Sequence, residues 1–233
     1  MFAALPPAWT MYWKTKRFYD DDFPAPVVLL DGNTGTGKTE ILQRLDALGH
    51  QVIDLEGLAN HRGSVLGGMG PQPSQKSFET ALYAQVTALD PSRPVVIEAE
   101  SSKIGAINLP SQLFNAMKKA PRITVQAPLN ARAKLLATTY TSGAIALEDL
   151  SEQLDRLVGL RGRAQVDDWK SLAQDRDFEG LAASLMVSHY DPSYSKGREK
   201  LAREELGSVF TEQLDDQGLD KLATQVGSIL SDF

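Results

Sequence analysis

The chain has 233 residues, 42% hydrophobic and 23% charged, with 18 glycines and 12 prolines, proportions that exclude collagen-like, coiled-coil and disordered chains. It contains no cysteine, which removes disulfides, thiolate metal sites, iron–sulfur clusters and thiol nucleophiles together. Its formal charge is −6, not the excess of base expected of a protein that binds nucleic acid by charge alone.

Residues 1–26 read as an irregular segment, broken by Pro6, Pro7, Pro24 and Pro26. Within it, residues 12–19 alternate bases with aromatics, a composition that either stacks on nucleobases or docks on a neighbouring domain. Residues 27–30 are a continuous apolar run, as expected of a strand buried on both faces of a parallel sheet. A Gly-rich turn leads into a helix over 39–48, with Ile41, Leu42, Leu45 and Leu48 apolar and Gly49 at its end. A strand at 51–54, a Gly/Pro-rich loop over 55–73 and a helix capped by Ser74 and running to about residue 89 follow. Strands at 95–98 and 123–126 flank a helix at 111–119, and strands alternating with helices predict a parallel sheet with right-handed crossovers. Beyond about residue 129 no further strand is expected, only helices near 130–140, 148–160, 166–172, 178–187 and 219–230. The charge divides at the same place: residues 1–140 carry 14 Lys+Arg against 12 Asp+Glu, and residues 141–233 carry 10 against 18. An RNA partner therefore requires the bases of the first part to be gathered on one face. No run reaches the ~18 apolar residues of a membrane helix and no signal-peptide core is present, so a cytoplasmic protein with no membrane association is expected.

The turn after the first strand reads Gly32-Asn33-Thr34-Gly35-Thr36-Gly37-Lys38-Thr39, a complete G-x-x-x-x-G-K-[ST] phosphate loop between strand and helix. Inward-turned backbone N–H groups at a helix N-terminus cradle phosphate, and glycines permit the dihedrals this needs. Lys38 supplies a point charge and Thr39 a hydroxyl for Mg²⁺. The expected fold class is therefore α/β, a P-loop NTPase (kinase-like) three-layer parallel sheet core at 27–140 with an acidic helical C-terminal extension at 141–233.

The metal-side carboxylate is expected at a strand's carboxyl end, from Glu98 or Glu100, with Asp54 and Glu56 as competing candidates. The loop over 55–73 is unusually long for a compact domain, as lids and binding elements are, and carries His61, Arg62 and Ser64 among glycines, with Lys76 just beyond. Arg132, after the fourth strand, either stabilises developing negative charge or is a helix-surface arginine. Arg161 and Arg163 read as lid or RNA-backbone contacts or as surface charges, and Tyr190-Asp191-Pro192-Ser193-Tyr194 as a Pro-fixed turn. His50 and His189 have no metal-ligand spacing.

The pieces GNTGTGKTEIL (32–42), DLEGLANHRGSVLGGMG (54–70), PSQKSFE (73–79), VVIEAESSKIG (95–105), LPSQLFNAMK (109–118) and SHYDPSY (188–194) together resemble the P-loop part of the bacterial tRNA 2-selenouridine synthases. The resemblance implies an enzyme acting on wobble 2-thiouridine of tRNA, exchanging sulfur for selenium from selenophosphate and geranylating the sulfur from geranyl diphosphate. Both co-substrates bear phosphate, which gives the loop a ligand other than ATP or GTP. In that family the P-loop part follows a rhodanese-like domain with an essential cysteine. This sequence has no cysteine and no room for that domain before residue 27, so a separate rhodanese-like partner, or a truncated or divergent homologue, is expected. Two other readings stay open: a small-molecule kinase or NTPase, and a silent nucleotide-binding module.

Overall fold

The computed structural model describes residues 23–63, 67–141, 147–194 and 203–233, the side chains of 139–141 and 147–148 aside. Five parallel strands form the central sheet: β1 (Val27–Gly32), β2 (Gln51–Ile53), β3 (Val95–Glu98), β6 (Arg122–Gln126) and β7 (Glu205–Phe210), in the order β2-β3-β1-β6-β7. Strand residues alternate between two faces. Val27, Leu29, Val95 and Ile97 meet α3 (Gln75–Thr87) and α4 (Ser111–Lys119) through Phe78, Leu82, Val86, Leu113 and Met117. Val28, Leu30, Val96, Ile123 and Val125 meet α1 (Lys38–Ala47) and α10 (Asp216–Ser231) through Ile41, Leu42, Leu45, Leu222 and Val226. With both faces covered, the strands read as continuous apolar runs.

Between β6 and β7 the chain runs through α5 (Leu129–Thr141), α6 (Leu147–Asp155), α7 (Val158–Arg161), α8 (Arg163–Gln174) and α9 (Phe178–Leu185). These helices bury a third core around Trp169, whose indole N–H donates to Ser184 Oγ (2.9 Å). A π-helical turn, Met186–Tyr190, closes α9, with the Asp191 N–H donating to Met186 O.

Three expectations are corrected. Strands do not stop after residue 129: β7 pairs parallel with β6, and its sequence hides it because Glu205, Gly207 and Ser208 break the apolar run of an edge strand in which only Val209 is buried. The 55–73 stretch is not all loop, because Asp54 accepts the Gly57 N–H (2.7 Å) and caps α2 (Leu55–Ala59). Tyr190 to Tyr194 is helical rather than a Pro-fixed turn. A small antiparallel hairpin, β4 (Lys103–Ile104) with β5 (Ile107–Asn108), also follows β3. Among the described residues no helix is long and apolar enough to cross a membrane. The stretch 12–19 and Ser64 lie outside the described residues.

Candidate functional site

The phosphate loop leaves the buried end of β1 and enters α1, with Gly35 (φ 79°) and Gly37 (φ 78°) both left-handed. A side chain at Gly35 would also approach Arg132 O to 2.7 Å, so glycine is required there twice over. Thr36 folds the loop back, its N–H and Oγ both donating to Asn33 O (3.3 and 2.9 Å). The Gly32 N–H is taken by Asp31 Oδ1 (2.7 Å). Lys38 Nζ donates to Gly32 O (2.9 Å) and lies 5.7 Å from the Tyr194 ring centroid. Burial opposes the lysine's charge, but Tyr194, Glu56, Glu100 and Asp31 outweigh it and hold its pKa above the ordinary value.

Opposite Lys38 stands a carboxylate group assembled from three segments. Glu98, at the end of β3, accepts the Glu56 N–H through Oε1 (2.8 Å), while its Oε2 is buried and unpartnered. Burial, reinforced by Asp54, raises its pKa well above the carboxylate range. Glu56, in the first turn of α2, takes the Thr39 hydroxyl on Oε2 (3.4 Å), with the Glu100 carboxyl beside it. Burial first, then the charge of Glu100, pushes Glu56 up to about 8. Glu100 is raised as well, chiefly by burial and against the pull of Lys38. With both carboxyls raised, a proton on Glu56 relieves the repulsion between them. Of the expected metal-side acids, Glu98 thus fixes the amide of Glu56, and Glu56 carries the carboxylate within reach of Thr39.

Arg62 is exposed and lines the phosphate-loop pocket. His61 does not join it there: it pairs by its backbone with Gly68 and turns its ring toward Gly105 of the hairpin, with Nδ1 buried and unpartnered. Gly63, also left-handed (φ 63°), passes so close to Glu100 that a Cβ would meet Oε2 at 2.6 Å. Arg132 is only 7% exposed and grips Asp191 with both Nη atoms (3.0 and 2.8 Å), while Nη1 also donates to Thr34 O (3.2 Å). It ties the phosphate loop to the helix after the π turn. Arg161 donates to His189 Nδ1 (3.1 Å) and Arg163 to Asp155 (3.2 Å).

Sequence reasoning missed the far wall of the pocket, made by Leu135 and Leu136 of α5 with Tyr190 and Tyr194. The only sequence signal was the SHYDPSY piece; the π turn, of a kind that recurs at functional sites, delivers Tyr190, Asp191 and Tyr194 to the loop. A phosphate nest therefore faces an apolar, aromatic surface.

A parallel sheet whose first strand feeds a glycine nest and a Lys-Thr helix start defines a P-loop, kinase-like phosphate-binding protein. Residues 25–161, more than half of the chain, match the family model of the tRNA 2-selenouridine synthase AAA domain, and the chain belongs to that family. It is 39% identical over 126 residues to the tRNA 2-selenouridine synthase of Hydrogenovibrio crunogenus, covering 53% of this chain and 34% of that protein. It is 31% identical over 204 residues to that of Psychromonas ingrahamii, covering 76% of this chain and 55% of that protein. The chain thus spans from about a third to just over half the length of these relatives. Among solved structures, shikimate kinase from Bacteroides thetaiotaomicron aligns at 14% identity with a TM-score of 0.38, covering 88% of this chain and 98% of that one; the likeness is too slight to bear on function.

Proposed function

We propose that this chain is the phosphate-loop part of a tRNA-modifying transferase and that its loop binds the diphosphate of an isoprenoid donor, geranyl diphosphate, beside a wobble 2-thiouridine. The observation that carries this is the composition of the pocket, in which the nest around Lys38 faces Leu135, Leu136, Tyr190 and Tyr194. A nucleoside triphosphate needs polar partners for its base and sugar, whereas a hydrocarbon tail needs only an apolar wall. In the transfer, the thiocarbonyl sulfur bonds to C1 of the donor as the C1–O bond breaks. The diphosphate leaves with its charge held by the loop N–H groups and Lys38, and the uracil N3 proton is released. Arg62, at the pocket's open rim, provides a further cation for the diphosphate or for the RNA.

The residues present fit Mg²⁺, a hard ion that takes oxygen ligands and keeps several waters. Thr39, Glu56 and Glu100 would hold it, with the donor's phosphates completing the set; among the described residues no trio of His, Cys, Asp or Glu forms a protein-only cage. Bound there it would neutralise phosphate charge and displace the proton that Glu56 holds. Exchange of sulfur for selenium through an enzyme-bound persulfide or selenide needs a thiolate, which this chain lacks. That step is assigned to a cysteine-bearing, rhodanese-like protein. The test is calorimetry of the chain against geranyl diphosphate, selenophosphate, ATP and GTP in parallel: tight geranyl diphosphate binding is expected, and ATP or GTP binding alone would support a kinase or NTPase instead.

A further inference from the structure

We infer that the hairpin β4–β5, together with the loop and the first turn of α3 that pack on it, is the surface that receives the RNA backbone, with Lys103 and Lys76 as phosphate contacts. This inference rests on the tRNA reading above and adds the docking face.

The chain is acidic, yet residues 57–78 and 101–147 contain no Asp or Glu and eight Lys or Arg. Part of that acid-free sequence is built into one piece. Gln72 Nε2 donates to Ala59 O (3.0 Å) and Ile104 O (3.1 Å), and its Oε1 accepts the Ala106 N–H (2.6 Å). Gln75 holds Asn108 by both backbone groups (2.8 and 2.9 Å), and Asn108 is the register partner of Lys103. Lys76 follows Gln75 directly, so both lysines flank the same clamp, and both are exposed. The neighbouring surface is polar: Ser74, Ser77, Ser101, Ser102 and Asn108 are exposed, and the nearest acid on α3, Glu79, is engaged by Gln75 Nε2 (2.9 Å). Among the described exposed residues of this face none is Phe, Tyr or Trp. Protein-binding surfaces are enriched in aromatics at their centre, whereas RNA phosphates are met by Lys, Ser, Asn and backbone N–H groups. The hairpin also adjoins the site: Ser101 follows Glu100, which Gly63 packs against, and Arg62 beside Gly63 lines the phosphate pocket. Beyond α5 on the other side of the pocket the chain turns acidic, residues 141–233 carrying 18 Asp+Glu against 10 Lys+Arg, which disfavours a polyanion there.

The experiment is binding of thiolated tRNA by fluorescence anisotropy across a salt series, for the unaltered chain, Lys76→Ala/Lys103→Ala and Arg163→Ala on the acidic side. The double variant should bind about tenfold more weakly or worse near 0.1 M salt, with a log–log salt slope shallower by about 2, one per lysine. Its geranyl diphosphate binding and melting temperature should be unchanged, and Arg163→Ala should match the unaltered chain. Equal affinity and slope in the double variant, while the unaltered chain binds tRNA, would overturn the surface alone. If the same variant instead lost affinity for polyglutamate with tRNA binding intact, the face would belong to an acidic protein partner. No tRNA binding by the unaltered chain at any salt would overturn both the surface and the tRNA reading.

Discussion

The raised pKa of Glu56 makes the folded chain sensitive to pH in a direction opposite to that of most carboxylates. Glu56 binds its proton with a pKa of about 8 in the folded chain against 4.5 when free, so the native state holds more protons than the unfolded state between those values. Its stability contribution is complete below pH 4.5 and is lost as pH rises through about 8. The full difference corresponds to at most about 5 kcal/mol at ~1.4 kcal/mol per unit, of which about 2 kcal/mol falls between pH 6 and pH 8. For a chain of this size that is a fall in melting temperature of about 4–8 °C. Glu56→Gln keeps the side chain's shape and removes its titration, so its melting temperature should fall less over the same interval. The slope that remains would include buried Glu98, which is raised as well. Thermal unfolding in buffers free of divalent cations measures both curves. Parallel curves for the two proteins would refute the raised pKa of Glu56.

Lys38→Ala should weaken geranyl diphosphate binding by about 2–4 kcal/mol, roughly 30- to 1,000-fold, read by calorimetry; unchanged affinity would remove the lysine from the site. Arg62→Ala should lower turnover with the melting temperature unchanged, because its side chain is exposed at the pocket rim; a large loss of stability with intact turnover would make the residue structural. Gly63→Ala should cost about 1–2 kcal/mol in backbone strain and displace Glu100, so that turnover falls as well; full turnover with stability retained would show that the loop yields without moving the carboxyl pair.

The phosphate loop was legible because its chemistry is local: strand, nest, lysine and helix start are consecutive, and the backbone conformation dictates the glycines. The core strands were legible because burial on both faces leaves unbroken apolar runs. β7 escaped because an edge strand with one buried residue has no such run. Its place is set by ladder bonds to β6, 78 residues of chain after that strand ends in sequence. The carboxylate group was half legible. The strand-end rule finds Glu98, but which acid reaches Thr39 depends on α2 turning back over the sheet, and that turn is held by the hydrogen bond from the Glu56 N–H to Glu98. Tyr190 and Tyr194 lie in a family-like piece that reads as a turn, because Pro192 normally ends a helix. The π turn absorbs the proline and aims the aromatics at the pocket.

Mass spectrometry of tRNA nucleosides tests the division of labour most directly. Thiolated tRNA is incubated with the purified chain and geranyl diphosphate, selenophosphate, or both. S-geranyl-2-thiouridine is expected with geranyl diphosphate, and selenouridine only after a cysteine-bearing rhodanese-like protein is added. Selenouridine formed by the purified chain alone would contradict the account, and so would a failure to geranylate at donor concentrations that saturate the loop.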